Sequence, residues 1–502
     1  MPNVRLTPLI IALAFVGGPS IVESQRSTAG SALTTQQVRA IDSLVRRHMT
    51  ARRIPGAAVG VVQGGRLVFA KGYGVASVEN DTPVTDSSVF QIASVTKPFT
   101  ATAVMMLASS GKLRLDDPVG KFVEQAPEAW SGVTVRHLLT HSAGIAPAAI
   151  VRVDTAGRVT LREGIPLLDI PAALALKMFA QTPVLFQPGA RVLYCDACYV
   201  VLGRVIERAS GQRYEEFMQS QVFQPLQMSS AGILDRWRIV RGLVPVYTLR
   251  NGEIAPWRRD SQYELNSFAG VTATLGDIAK WDVALRAGRL VSREALEEMW
   301  TPAGLGNGQP AILFGDYYGL GWGLGEVRGH RTAEHAGASG TFLLHFIDTD
   351  LTIIALTNLD GPSGSQPAVL ARSVAGLVDP IFLPVAQLSP RTDPSPATTR
   401  DIRAMLGEMA AARASAMLTE GYRAFFESMP EPARREDSAL LQSLSDFTFV
   451  ARDTMPARSW PRFGQTVTQI AHYSGLLSGR RFLFSFWLTG EGKVAYLRFS
   501  AV

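Results

Sequence analysis

The sequence predicts an α/β fold of the α+β kind: an antiparallel sheet flanked by helices, with a helical subdomain inserted in its middle and a small α+β domain at the C-terminus. Two strand-like runs, 57–63 and 66–73, flank Gly64-Gly65, a pair suited to a two-residue hairpin. A second pair, 341–347 and 351–357, meets across Asp348-Thr349-Asp350, and most of the chain between the hairpins reads as helix and loop. Beyond Leu383 the pattern breaks at Pro384, Pro390, Pro394 and Pro396. It resumes as a helical stretch, 398–429, and four strands, 447–451, 467–474, 481–489 and 494–501. The expected division is a leader (1–24), a main domain (25–383), a linker (384–398) and a C-terminal domain (399–502).

With 502 residues, 47% of them hydrophobic, the chain can bury large cores. Its 49 basic and 43 acidic residues leave a formal charge of +6 scattered without a long Lys/Arg run, so no nucleic-acid partner is expected. Arg5, the apolar stretch 9–16 and Val22-Glu23-Ser24 have the order of a signal peptide with its cleavage site. That apolar stretch falls short of the roughly 20 residues a bilayer span needs. The expectation is a periplasmic or secreted protein with no stable membrane span after leader removal.

Cys195 and Cys198, the only cysteines, lack the further ligands of a zinc site and the βαβ surroundings of a thioredoxin motif. Two buried small residues near a helix start are expected, with a disulfide, which export permits, as the alternative.

Residues 36–52 place Val38, Ile41, Leu44, Val45 and Met49 at helical spacing behind Thr34 or Thr35 as N-cap. The segment 91–98, Gln-Ile-Ala-Ser-Val-Thr-Lys-Pro, then leads into an apolar helix over 99–110 that stops at Gly111. Proline is tolerated only in the first turn of a helix, so Pro98 sets Ser94 at the N-terminal mouth. Lys97, three residues on, shares its face: a nucleophile beside a base. A Ser-x-x-Lys tetrapeptide alone equally describes an N-cap followed by a solvated lysine.

Three further segments change that balance. They are Thr134-Val135-Arg136-His137-Leu138-Leu139-Thr140-His141-Ser142-Ala143-Gly144, Tyr194-Cys195-Asp196, and His335-Ala336-Gly337-Ala338 opening the 341 strand. Their order and spacing resemble the serine β-lactamase and penicillin-binding-protein-like family, especially its class C β-lactamase-related branch. The resemblance covers roughly 36–378, including Leu115-Asp116-Asp117-Pro118 and Gly319-Leu320-Gly321-Trp322. It implies a β-lactamase/transpeptidase-like fold and acyl transfer through a serine ester, with no cofactor and no metal.

Carried over by the resemblance, Ser94 is the nucleophile, Lys97 helps remove its proton, and Tyr194 offers a second route as phenolate or proton relay. The oxyanion falls to the backbone N–H groups of Ser94 and of Ala338, on the strand after His335-Ala336-Gly337, with Gly337 leaving room for close approach. His335 stands where many members have lysine and can supply a pH-dependent cation or a hydrogen bond. His137 and His141 read as loop-organising residues, since their spacing lacks the glutamate of a His-Glu-x-x-His motif.

Asp196 is the main departure, since the family pattern is usually Tyr-x-Asn. An aspartate accepts hydrogen bonds where asparagine also donates, and beside Lys97 it would favour the ammonium and move the base role towards Tyr194. The expected partner is therefore a small-molecule or peptide acyl donor, with esters or peptides ranked above β-lactams. A non-catalytic binder of cell-wall fragments is the alternative from another class. The tail shows no assembled cluster of nucleophile, base and metal-ligand types and reads as a structural or substrate-shaping cap.

Overall fold

The computed structural model describes residues 32–501 apart from 125, 147–150, 154–158, 162–175, 177–178, 182–183, 236–237, 258–266, 315, 430 and 456–463. The expected leader, 1–24, lies outside the described residues. Helix α1 (Thr35–Arg52) starts on a capping box: the Thr34 hydroxyl accepts from the Gln37 N–H at 3.2 Å, and the Gln37 side chain accepts from the Thr34 N–H at 2.9 Å. The face bearing Ile41, Val45 and Met49 is buried.

The expected hairpin forms as β1 (Gly56–Gln63) and β2 (Arg66–Ser77), with β3 (Thr82–Pro83) beyond it. Helices α2 (Thr96–Ser109), α3 (Asp196–Ser210) and α4 (Leu275–Arg286) follow. The chain then returns to the sheet as β4 (Ile312–Leu313), β5 (Asp316–Tyr318), β6 (Gly323–Val327), β7 (His330–Gly337), β8 (Thr341–Phe346) and β9 (Leu351–Thr357), before α5 (Pro367–Val378). The result is one nine-stranded antiparallel sheet in the order β4-β5-β6-β7-β8-β9-β1-β2-β3.

Period-two alternation explains why β1 is apolar from Gly56 to Val62. Ala57, Val59 and Val61 enter the core beneath α1 and α5, whereas Ala58 and Val62 enter the opposite core, which α2, α3 and α4 share. Leu351, Ile353 and Ala355 of β9 match the first set, and Ile354 and Leu356 the second. The inserted helices therefore do not form a detached lobe, since α4 packs directly on β1, β2 and β9.

Two expectations about the main domain's chain path and cysteines need correction. His335-Ala336-Gly337 does not open the 341 strand; it ends β7, and Ala338 lies in the turn between β7 and β8 rather than on a strand. Gly340, at φ 83°, makes that reversal within three residues. Cys195 and Cys198, expected as two separate buried residues, form a disulfide at the start of α3.

The C-terminal part contains α6 (Pro396–Ala410), α7 (Glu420–Ser428), α8 (Glu431–Gln442) and a four-stranded antiparallel sheet. Its strands run in sequence order: β10 (Ser445–Thr454), β11 (Gln469–Leu477), β12 (Arg480–Leu488) and β13 (Val494–Ala501). The stretch read as a linker is packed: Val385 joins Val450 and Ala451 in a small core, and Gln387 donates to the Ser373 hydroxyl at 2.6 Å. The two parts meet through Arg328 on Asp453 (2.7 Å), Trp487 Nε1 on Glu326 (2.8 Å) and Arg498 on Asp316 (2.7 Å).

Contrary to expectation, the tail does assemble nucleophile and base types. His472 sits between Ser485 Oγ, 2.8 Å from Nδ1, and Asp453 Oδ2, 3.0 Å from Nε2. All three are buried, and Arg328 also binds Asp453 through both carboxylate oxygens. Burial alone would raise the Asp453 carboxyl, but His472 and Arg328 hold it below its ordinary value. Through Arg328 on Asp453, this buried polar row of the C-terminal part is tied to the main part.

Candidate active site

Ser94 arrives through a change of helix type. A 3-10 turn, Ala93–Val95, runs directly into α2, whose third residue is Pro98. Ala93 is fully buried at φ 45°, a conformation that costs an L-residue on the order of 1–2 kcal/mol and persists only where the surroundings impose it. Thr341 Oγ1 and Ser339 Oγ impose it from the sheet side, donating to the carbonyls of Ile92 (2.8 Å) and Gln91.

Lys97 has no exposed side-chain surface, and three acceptors surround its Nζ: Asp196 Oδ1 at 2.7 Å, Ser94 Oγ at 3.2 Å and the Phe268 carbonyl at 3.2 Å. An ammonium has three N–H donors, so this arrangement matches the charged form. The ammonium also lies 4.7 Å from the centre of the Tyr194 ring, a cation–π contact that favours the same state. Asp196 is the first residue of α3, where the helix dipole favours a carboxylate, and 35% of its side chain stays exposed. The condition set by the sequence, an aspartate close enough to hold Lys97 charged, is met.

Tyr194 is bracketed by His141. The His141 carbonyl accepts from the Leu193 N–H at 2.9 Å, its Nδ1 accepts from the Cys195 N–H at 3.0 Å, and its ring centre lies 4.5 Å from that of Tyr194. Because Nδ1 accepts, the remaining ring proton sits on Nε2, 3.2 Å from Tyr318 Oη. His137 turns away to a different task, its Nδ1 accepting from the Thr134 N–H to cap the short helix Val135–Leu139. Reading both histidines as loop organisers agrees with these contacts, and His141 organises the loop that carries a site residue.

His335 ends up beside the same group, with Nε2 3.4 Å from Tyr318 Oη and Nδ1 2.9 Å from the Ala336 carbonyl. A carbonyl only accepts, so Nδ1 carries the proton. Burial, reinforced by the Lys97 charge, pushes the imidazole down to about 3, so His335 is neutral at ordinary pH and, of the two roles the sequence left open, it fits the hydrogen bond rather than the cation. The unfolded chain binds this proton near pH 6.5 and the folded chain only near 3, so the folded state is unaffected above pH 6.5 and loses stability as pH falls through that window. The slope from this one group is roughly 1.4 kcal/mol per pH unit. Urea unfolding between pH 7 and 4 is expected to show a shallower acid loss in His335→Gln than in the wild type; parallel curves would contradict the assignment.

Gly337 brings β7 against the segment that carries Ser94: a Cβ built there would stand 2.3 Å from the Ile92 carbonyl oxygen. The predicted residues thus fall into two groups. Ser94, Lys97, Tyr194 and Asp196 meet around one ammonium, while His335, Gly337 and Ala338 form the strand end and turn beside it. Sequence reasoning missed the Phe268 carbonyl, which no side-chain motif could mark, and Tyr318, whose only signal was its position just before Gly319-Leu320-Gly321-Trp322. It also missed Phe314, whose ring centre lies 5.6 Å from that of Tyr194.

The Beta-lactamase family matches residues 41–376, about two thirds of the protein. The chain belongs to the Beta-lactamase family. Members of that family are serine acyl-transfer hydrolases. The chain is similar to penicillin-binding protein 4* of Bacillus subtilis (strain 168), 25% identical over 61% of this chain and 69% of that protein. It is 34% identical to esterase EstB of Burkholderia gladioli over 39% of this chain, spanning about half (51%) of that relative's length. Among solved structures, the octameric penicillin-binding protein homologue from Pyrococcus abyssi shares the fold with a TM-score of 0.59 at 22% identity. That match covers 92% of this chain and 100% of the other. Among the described residues no helix is long and apolar enough to cross a membrane.

Proposed function

We propose that this protein is an exported serine hydrolase that works through a covalent acyl-enzyme on an ester, with a peptide or amide as the second class of acyl donor. The observation that carries the reading is the buried Lys97 ammonium held between Ser94 Oγ and Asp196 Oδ1. Ser94 Oγ attacks the carbonyl carbon while its proton leaves. The tetrahedral oxyanion forms against the backbone N–H groups of Ser94 and Ala338, and the leaving alcohol or amine takes a proton as the C–O or C–N bond breaks. Water then repeats the attack on the Ser94 ester. With Lys97 held charged, Tyr194 is assigned the proton-accepting role and Lys97 the role of a fixed cation that stabilises its phenolate.

Esters rank first because Asp196 offers no N–H donor to a substrate amide carbonyl, and because the EstB relative is named as an esterase. Support for export comes from the leader-like order of 1–24 and from the Cys195–Cys198 disulfide, a bond that persists in oxidising compartments.

The test is to follow turnover of an activated short-chain ester and a fluorescent penicillin by intact mass and release kinetics, with Ser94→Ala alongside. The expected result is an acyl adduct on Ser94, faster ester than penicillin turnover, and a loss of at least about 10³-fold in Ser94→Ala. Folded protein that no acyl donor labels would point instead to a binder of cell-wall fragments.

A further inference from the structure

Phe314 occupies the turn between β4 and β5 at φ 54°, a conformation that a bulky L-residue adopts only under constraint and that glycine or asparagine adopts readily. Its side chain is 80% exposed, so the strain is not offset by burial in the fold. Ile312, two residues earlier, is also 40% exposed. Yet the Phe314 ring is set beside Tyr194, 5.6 Å between centres at an interplanar angle of 46°, and the hairpin behind it is tied down by Arg498 on Asp316 at 2.7 Å. A strained, exposed aromatic that contributes little to folding and is held against a reacting residue has the properties of a ligand contact.

We propose that Phe314 is a specificity-determining residue, its ring forming an apolar wall that selects acyl donors with a longer aliphatic or aromatic acyl group over acetyl. This rests on the reading of Ser94 and Tyr194 given above. The wall acts by covering the substrate's apolar part, so its effect belongs in KM and in the ratio of kcat/KM between substrates rather than in the chemistry common to all of them.

The experiment measures kcat/KM for p-nitrophenyl acetate, butyrate, hexanoate and phenylacetate with the wild type, Phe314→Ala and Phe314→Asn. Asparagine keeps the left-handed turn while removing the ring. Both variants are expected to stay within about twofold of the wild type on acetate and to lose about tenfold on hexanoate and phenylacetate, mainly through KM. Phe314→Asn is also expected to melt no lower than the wild type, since asparagine tolerates the backbone that strains phenylalanine. An equal loss on all four esters, or none, overturns the proposal, as does a lowered melting temperature accompanied by a uniform loss. Labelling of Ser94 by a fluorophosphonate separates the two levels. A labelled wild type with a flat acyl-length response refutes the role of Phe314 alone, whereas a folded wild type that neither labels nor turns over refutes the hydrolase reading and this inference with it.

Discussion

Gly337→Ala is expected to lower kcat by about 10²-fold or more while leaving a folded protein. The added Cβ would meet Thr341 Oγ1 at 2.1 Å and the Ile92 carbonyl oxygen at 2.3 Å. A flexible side chain could swing aside, but the Ile92 contact is backbone, two residues before Ser94, and it is already fixed by the Thr341 hydroxyl. Relief therefore has to come from moving β7 away from the serine segment, which also displaces the Ala338 turn. A misplacement of about 1 Å is enough to cost 10²-fold in rate, and overpacking of this kind typically costs about 1–3 kcal/mol of stability. Steady-state kinetics on an activated ester, paired with a thermal melt, checks both. Wild-type kcat in a stable variant would show that this contact does not position Ser94.

The second large effect concerns the charge pair. Lys97→Met should cost about 10²–10⁴-fold in acylation, because either assignment of the base needs that side chain, as acceptor or as the cation favouring a Tyr194 phenolate. Asp196→Asn probes the same group more gently. Removing a carboxylate 2.7 Å from Nζ makes proton loss from Lys97 or Tyr194 easier, so the acidic limb of kcat/KM should move to lower pH. Stability should fall by about 1–2 kcal/mol, less than for a fully buried pair, because the carboxylate keeps solvent contact. The new amide also offers an N–H donor, so penicillin acylation should rise relative to ester turnover. An unmoved pH limb would mean that the Asp196 charge does not reach the base. Comparing Tyr194→Phe with Lys97→Met then separates acceptor from cation.

Much of this site was legible because its residues lie in short segments whose local geometry is strongly constrained. Pro98 allows few helix starts, so the relation of Ser94 to Lys97 could be read from spacing alone, and the two long hairpins announced themselves through apolar runs around tight turns. Strands β4 to β6 were missed because they run only two to five residues, too short to show a period, beside a stretch rich in glycine. The eight-residue β7 was missed because His335-Ala336-Gly337 reads as the opening of the next strand. Placing Ala338 on a strand failed for a related reason, since a three-residue reversal at Gly340 leaves little trace in composition. Contacts made by backbone atoms, such as the Phe268 carbonyl on Lys97, carry no residue-type signal. The polar row Asp453, His472 and Ser485 comes from three different strands, and only cross-strand register brings it together.

The short outer strands of the main sheet have a consequence for how copies of this protein can meet. β4 and β3, the two margins of the nine-stranded sheet, are two residues each, and β3 ends on Pro83, which has no N–H to offer. Near the β4 margin, the C-terminal part is fastened to Asp316, Glu326 and Arg328. At the β4 margin the main sheet thus presents no long ladder of open backbone groups, whereas at the other margin β3 pairs with Val75 and Ser77 alone and leaves residues 67–73 of β2 outside its ladder. Extension of this sheet from one copy into the next is disfavoured at the β4 margin, where any self-association has to be built from side chains, with surface charge and shape selecting the partner.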